Sequence, residues 1–303
     1  MLVGALTSSA AKPDVADLLA RARTIAEVAR ERAQQTETER RVGDDMIELM
    51  RQADLFRVMQ PRLYGGFEYG FDVFSQITAA IASGCGSTGW VYALLASHQW
   101  LIACFSKAAQ DEVWQDSNAL AAGTYAPVAR AVAADGGYRI SGVGSFCSGC
   151  DNAQWQLLGG MIPQGNGAAQ PGFFLLRSGD CTIDDNWHTM GLAGTGSKNI
   201  VVRDAFVPFH RTLAFAELLD ATAPGMRSNP NPLTGNLSLP CYRSPSCRRC
   251  SVLRKARSPI FWRWRAYAPL AVRWQAATAA WVNLPPCNCG SPRRVRASTQ
   301  RAS

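Results

Sequence analysis

The chain has 303 residues, of which 47% are hydrophobic and 18% charged, and a formal net charge of +8. That length supports one large core or two modest ones, and no apolar stretch is long enough to span a bilayer. The positive balance is not a chain-wide property. Through Asp220 there are 17 Lys and Arg against 23 Asp and Glu, a net of −6, whereas the last 83 residues carry 14 Lys and Arg and no acidic side chain. A protein-wide basic field for nucleic acid or membrane surfaces is thereby excluded; only the tail has one.

The first eleven residues lack a basic n-region and a sustained apolar run, so the expectation is a cytoplasmic protein with reduced thiols. Five of the ten cysteines fall after residue 240, and no secreted-domain spacing organises them. Cys147-Ser-Gly-Cys150 has redox spacing but follows a strand pattern instead of opening a helix, and both thiols are read as structural.

From Asp14 to Glu31 the residues Val15, Leu18, Leu19, Ala22, Ile25, Val28 and Ala29 recur at three and four, which predicts an amphipathic helix with Asp14 as its cap. A second helix is predicted over about 44–53. It ends before Gln60-Pro61-Arg62-Leu63-Tyr64-Gly65-Gly66, where proline and paired glycines enforce a turn. Helices over 71–82, about 88–105 and 108–116 complete an all-helical region.

After Ala119 the period falls to two. Strands are predicted at 124–127, 129–133 and 138–141, with Asp135-Gly136-Gly137 as the hairpin turn, and further strands at 155–161, 172–177, 181–185 and 199–205. Helices followed by strands, unmixed, point to an α+β fold and away from a doubly wound sheet. Gly191-x-x-Gly194-x-Gly196 has the wrong order for a dinucleotide loop and leads into a strand, so no helix N-terminus is available for a phosphate.

Four segments resemble one family in order and spacing: 61–66, 122–127, 138–155 and, most strongly, 187–211. The last runs Trp187-His-Thr-Met-Gly-Leu-Ala-Gly-Thr-Gly-Ser197 into an alternating strand that ends Asp204-Ala-Phe-Val-Pro208. Over residues 14–233 the chain resembles the acyl-CoA dehydrogenase fold and, within it, the flavin-dependent aromatic hydroxylases, the oxygenase components of two-component monooxygenases. The resemblance implies a helical domain (1–117), a flavin-contacting β-barrel domain (118–225) and a C-terminal helical bundle. It implies reduced FMN or FAD supplied by a partner flavin reductase, O2 as co-substrate, a small phenolic or polyketide-like aromatic substrate, and a homotetramer.

Specific residues follow from the same resemblance. Thr124, Tyr125, Phe146 and Ser148 lie in the two strand-loop segments that touch the flavin, and Ser148 matches a serine beside flavin N5. A turn serine satisfying its own backbone is the alternative for Ser148. The family commonly carries an aromatic where this chain has Gly144, which leaves the tightness of that wall in question. Thr195, Ser197 and Lys198 occupy the turn at the flavin end, against plain turn chemistry with a solvated lysine. Trp90, Trp155 and Trp187 either frame the cavity or belong to the core. His98 is one of three histidines and lies on an apolar helix. In the family a histidine in this segment faces the substrate phenol as a base; the alternative is a satisfied core imidazole. His188 and His210 receive no role, and no metal site is expected before the tail.

From about Thr234 the composition turns to Arg, Ser, Pro, Cys and Trp, where the family has a bundle of long helices. With no Asp, Glu or His after Asp220, neither the base of a dehydrogenase nor the second histidine of a hydroxylase is available there. The tail at 226–303 is read as an out-of-frame translation of a GC-rich gene, which implies impaired activity and poor oligomerisation. Two rival functions remain open. One is an acyl-CoA dehydrogenase oxidising an acyl thioester. The other is a zinc- or nucleic-acid-binding protein acting through Cys247-Arg-Arg-Cys250 and the tail's cations.

Overall fold

A computed structural model describes residues 12–229 apart from Asn166. Six helices come first: α1 (Val15–Glu31), α2 (Ala33–Glu39), α3 (Asp44–Gln52), α4 (Phe71–Ala82), α5 (Gly86–Ala103) and α6 (Lys107–Val113). Asp14 caps α1 by accepting the Asp17 N–H at 2.7 Å, and Leu18, Ala22, Ile25, Ala26 and Ala29 form the buried stripe. These features follow the pattern read from the sequence. Helix α2 was not foreseen: its sequence, Ala-Gln-Gln-Thr-Glu-Thr-Glu, buries only Thr36 and has no apolar period to detect.

Helix α5 is enclosed on nearly every side. Fifteen of its 18 residues are buried, which is how a helix without a polar face satisfies its sequence. It packs against α4, β1 and the turns at 55–57 and 193–195. Gly89 permits the close approach to α4, since a Cβ there would stand 2.5 Å from the Ala82 Cβ. The side chain of Tyr92 donates to the Leu55 carbonyl at 3.1 Å, and that of Gln99 to the Ala119 carbonyl at 3.0 Å, whereas the buried Thr88 hydroxyl of the same helix has no partner among the described residues.

The strands form one seven-stranded sheet in the order β5-β6-β2-β1-β3-β4-β7. They are β1 (Ala121–Ala134), β2 (Gly137–Cys147), β3 (Trp155–Gln164), β4 (Gly167–Arg177), β5 (Thr182–Asp184), β6 (Lys198–Pro208) and β7 (Thr212–Ala214). The segments predicted at 124–127 and 129–133 are one strand. Pro127 cannot donate to a ladder, and the register of β1 against β3 shifts between Thr124 and Ala129. The hairpin at Asp135-Gly136 is as expected, with Ala134 opposite Gly137. The β1–β3 pairing is parallel and the other pairings are antiparallel. Two short helices, α7 (Phe215–Leu219) and α8 (Gly225–Ser228), follow. The buried core runs without a break from Leu18 in α1 to Ala214 in β7, so helices and sheet share it.

No helix among the described residues is long and apolar enough to cross a membrane. The tail read as out of frame lies outside the described residues from position 230 on, and with it the candidate zinc ligands.

The Gly89 contact sets a prediction. Gly89→Ala forces α4 and α5 apart and should lower stability by about 1–3 kcal/mol in urea unfolding; an unchanged midpoint would show that the helix pair can yield at no cost.

Candidate flavin-facing site

Four of the residues singled out in the sequence meet in one hydrogen-bonded line. Trp90, near the start of α5, donates its indole N–H to Ser148 Oγ at 3.1 Å. Ser148 Oγ lies 2.7 Å from Ser197 Oγ, and Ser197 Oγ lies 2.7 Å from Thr195 Oγ1. Thr195 Oγ1 donates to the Leu192 carbonyl at 2.8 Å. Helix, bulged strand end and glycine turn thus converge on three buried hydroxyls with no charge among them. The β2–β6 register shifts between Gly144 and Cys147 and so turns Ser148 out of the ladder. Backbone N–H of Gly149 donates to the Thr195 carbonyl at 3.1 Å and closes the two loops on each other.

Phe146 stands at the same bulge with φ +62° and is 64% exposed, its ring edge-to-face with Trp187 at 5.8 Å. A left-handed conformation at a large non-glycine residue costs about 1–2 kcal/mol, which the bulge must hold. Trp187 is half-buried and donates to the Leu192 carbonyl at 3.1 Å, the same carbonyl that receives Thr195. Trp155 is a core residue, with the guanidinium groups of Arg177 and Arg211 over its ring.

Thr124 differs from the rest. Its Oγ1 is buried and has no hydrogen-bond partner among the described residues. An unmet buried hydroxyl costs about 1–3 kcal/mol, and a ligand carbonyl or N–H is the natural remedy. A Cβ on Gly144 would come within 2.4 Å of that oxygen and 2.7 Å of Leu158 Cδ1. The wall left in question by Gly144 is therefore closed by Thr124 and Leu158, and an aromatic side chain has no room on this backbone.

His98 lies 0% exposed on α5 with both ring nitrogens engaged. Nδ1 is 2.7 Å from the Ala121 carbonyl, which can only accept, so Nδ1 carries the hydrogen. Nε2 is therefore the acceptor and takes the Tyr125 O–H at 2.7 Å. Burial holds the imidazole neutral and lowers its pKa from the usual 6.5 to about 4, while burial raises that of the Tyr125 phenol. His98 thus presents no free nitrogen, and half-buried Tyr125 is the outer member of the pair.

Several contributors were not visible in the sequence. Glu37, on the unforeseen α2, accepts the backbone N–H groups of Ala193 at 2.8 Å and Gly194 at 3.2 Å and the hydroxyl of Ser87. One carboxylate from a polar helix therefore fixes the glycine turn that carries Thr195 and Ser197. Lys198 is buried, which removes the alternative of a solvated lysine; its Nζ pairs with Asp151 at 2.9 Å and lies 3.6 Å from Asp185. Arg40 binds Asp185 through both guanidinium nitrogens, and this bond holds the Asp185 carboxyl below its usual range. Cys147 and Cys150 are buried free thiols, and burial pushes the Cys147 thiol well up, as befits structural residues. Among the described residues no three His, Cys, Asp or Glu side chains gather as metal ligands.

Two measurements test this geometry. The unfolded chain binds a proton at His98 near pH 6.5 that the folded chain binds only near pH 4, so stability should rise with pH between these values by roughly 3 kcal/mol and then level off. His98→Gln should flatten that slope in urea unfolding from pH 4.5 to 7.5; an identical slope would assign it elsewhere. Glu37→Ala strands three donors and should cost about 2–3 kcal/mol, with amide hydrogen exchange accelerated at Ala193 and Gly194; unchanged exchange there would remove Glu37 from its role.

Comparison with known proteins places this geometry in a family. Residues 13–121 match the acyl-CoA dehydrogenase N-terminal domain. The oxygenase component of the FADH2-dependent resorcinol hydroxylase of Rhizobium sp. (strain MTP-10005) is 44% identical over 218 residues, 71% of this chain and 53% of that protein. The crystal structure of the HsaA monooxygenase from M. tuberculosis is similar at TM-score 0.71 and 36% identity, over 74% of this chain and 59% of that one. XiaF from Streptomyces sp., in complex with FADH2 and glycerol, gives 0.64 and 30% over 70% and 55%. The chain spans about half the length of the curated relatives it matches. Through the residues it shares with them, the chain belongs to the acyl-CoA dehydrogenase superfamily and is similar there to the oxygenase components of flavin-dependent monooxygenases.

Proposed function

We propose that the chain carries the helical and β-sheet parts of an oxygenase component that hydroxylates a phenolic aromatic with reduced flavin and O2, the flavin being delivered by a separate reductase in the cytoplasm. The observation that carries the reading is the uncharged line Trp90-Ser148-Ser197-Thr195, together with the unpaired Thr124 hydroxyl of β1. A reduced flavin offers an N–H at N5 and a carbonyl at O4. Ser148 has a lone pair to receive the first, and Thr124 a hydrogen to give the second.

Bound flavin supplies the oxygen-activating chemistry, and the protein supplies orientation, dryness and hydrogen bonds. In this reading Ser148 and Thr124 orient the ring without introducing charge. Phe146 and Trp187 offer an apolar edge-to-face pair at the bulge. The substrate hydroxyl is met by Tyr125: with the Tyr125 hydrogen committed to the neutral His98 Nε2, the Tyr125 oxygen is left as an acceptor for the substrate O–H. His98 then acts on the substrate through Tyr125 and not by direct contact. Residues 1–117, 118–225 and 226–303 remain the proposed division of the chain, and oligomerisation poorer than the homotetramer implied by the resemblance remains the proposed state of assembly.

An acyl-CoA dehydrogenase reading is disfavoured because the relatives matched at 38–44% identity are named hydroxylases and monooxygenases. Anaerobic equilibrium titration of the full chain with reduced FMN and reduced FAD tests the proposal, with an acyl-CoA as competitor. Reduced flavin should bind without competition, and Ser148→Ala should weaken it about tenfold, the worth of one good hydrogen bond. Binding of acyl-CoA with indifference to Ser148→Ala would reject the reading.

A further inference from the structure

The buried hydroxyl line has a fixed direction, and that direction follows from counting hydrogens. A carbonyl only accepts, so the single hydrogen of the Thr195 hydroxyl is committed to Leu192 at 2.8 Å. The 2.7 Å contact between Thr195 and Ser197 must then use the Ser197 hydrogen, and the 2.7 Å contact between Ser197 and Ser148 must use the Ser148 hydrogen. At the other end an indole only donates, so Trp90 occupies one lone pair of Ser148 at 3.1 Å. The Leu192 end sets the polarity, and the Trp90 end is compatible with it. What remains on Ser148 is one lone pair and no hydrogen.

Reversing any link would set two hydrogens against each other or two lone pairs against each other. The three hydroxyls are 4%, 6% and 2% exposed, so water is not at hand to rescue a reversed arrangement. Ser148 is therefore an obligate acceptor toward anything placed beside it. Thr195, two links away, is what makes it so.

We infer that Thr195 and Ser197 are positioning residues: by keeping the Ser148 hydrogen turned away from the ligand they set how far Ser148 distinguishes the N5–H of reduced flavin, which it accepts, from the N5 lone pair of oxidised flavin, which it opposes. The inference rests on the proposed placement of Ser148 beside flavin N5.

The test measures the dissociation constants of reduced and oxidised FMN anaerobically on the full chain and its variants. Thr195→Val keeps the shape but removes the anchor at Leu192. The Ser197 hydrogen can then turn to Ser148, and the Ser148 hydrogen can reach an oxidised N5. The ratio of oxidised to reduced dissociation constants should fall about tenfold, as for one repulsive contact exchanged for a hydrogen bond. Thr195→Ser restores the hydroxyl and should restore the ratio, which a merely structural role would not require. Ser197→Ala frees the Ser148 hydrogen by another route and should lower the ratio likewise, so the test survives if Thr195→Val fails to fold. Flavin binding that depends on Ser148 but shows one ratio in all variants would overturn the inference and leave the functional reading standing. Absence of flavin binding, or binding indifferent to Ser148, would overturn both.

Discussion

The arrangement depends on the burial of helix α5. A helix that is apolar on all sides has no place in water, and enclosing it brings α4, the sheet and the glycine turn around one rod. Trp90 and His98 are separated along that rod by about 12 Å of axial rise. One end of α5 therefore supplies the donor that begins the hydroxyl line, and the other supplies the imidazole paired with Tyr125. Two chemically different tasks are positioned by a single rigid element. The spacing between them is set by helix geometry and not by loops.

Charge is kept behind this surface. Arg40, Asp185, Lys198 and Asp151 form a cluster on the far side of the glycine turn, and Glu37 grips the turn's backbone from α2. A buried ion pair contributes little net stability, because desolvation offsets most of the attraction. Its value here is geometric. It joins the 3-10 turn after Gly149 to the first residue of β6, and so keeps Ser148 and Ser197 within hydrogen-bonding distance.

How legible this was depended on the range of the interaction. Helix α1 with its Asp14 cap, helix α4 and the Asp135-Gly136 hairpin follow from periods and turn residues confined to a dozen positions. Ser148, Ser197, Thr195 and Trp90 were picked out by resemblance. Their joining into one line was not legible, because it spans a sequence separation of 107 residues between Trp90 and Ser197. Glu37 had no signal at all: a short helix without an apolar stripe looks like linker, and its carboxylate acts on a turn 156 residues away. The burial of Lys198 was not legible for a related reason, since its partner Asp151 is not a neighbour in sequence. The pairing of His98 with Tyr125 escaped notice although both residues were named, because a strand residue's side-chain partner cannot be read from alternation.

The parallel pairing of β1 with β3 bears on the order in which the chain assembles. The β1–β2 hairpin closes across two residues, and α4 and α5 are joined by three, so these local units carry little loop entropy. The β1–β3 ladder instead joins Ala121 to Trp155, and β6 returns to pair Pro208 with Gly137. Such long closures are late events in folding, since their entropy is lost before their contacts are gained. The hydroxyl line needs β2, β6 and α5 all in place, so on a nascent chain it is among the last features to exist. Premature exposure of the half-built sheet edge, before β6 has docked, is then the stage most open to association with other chains.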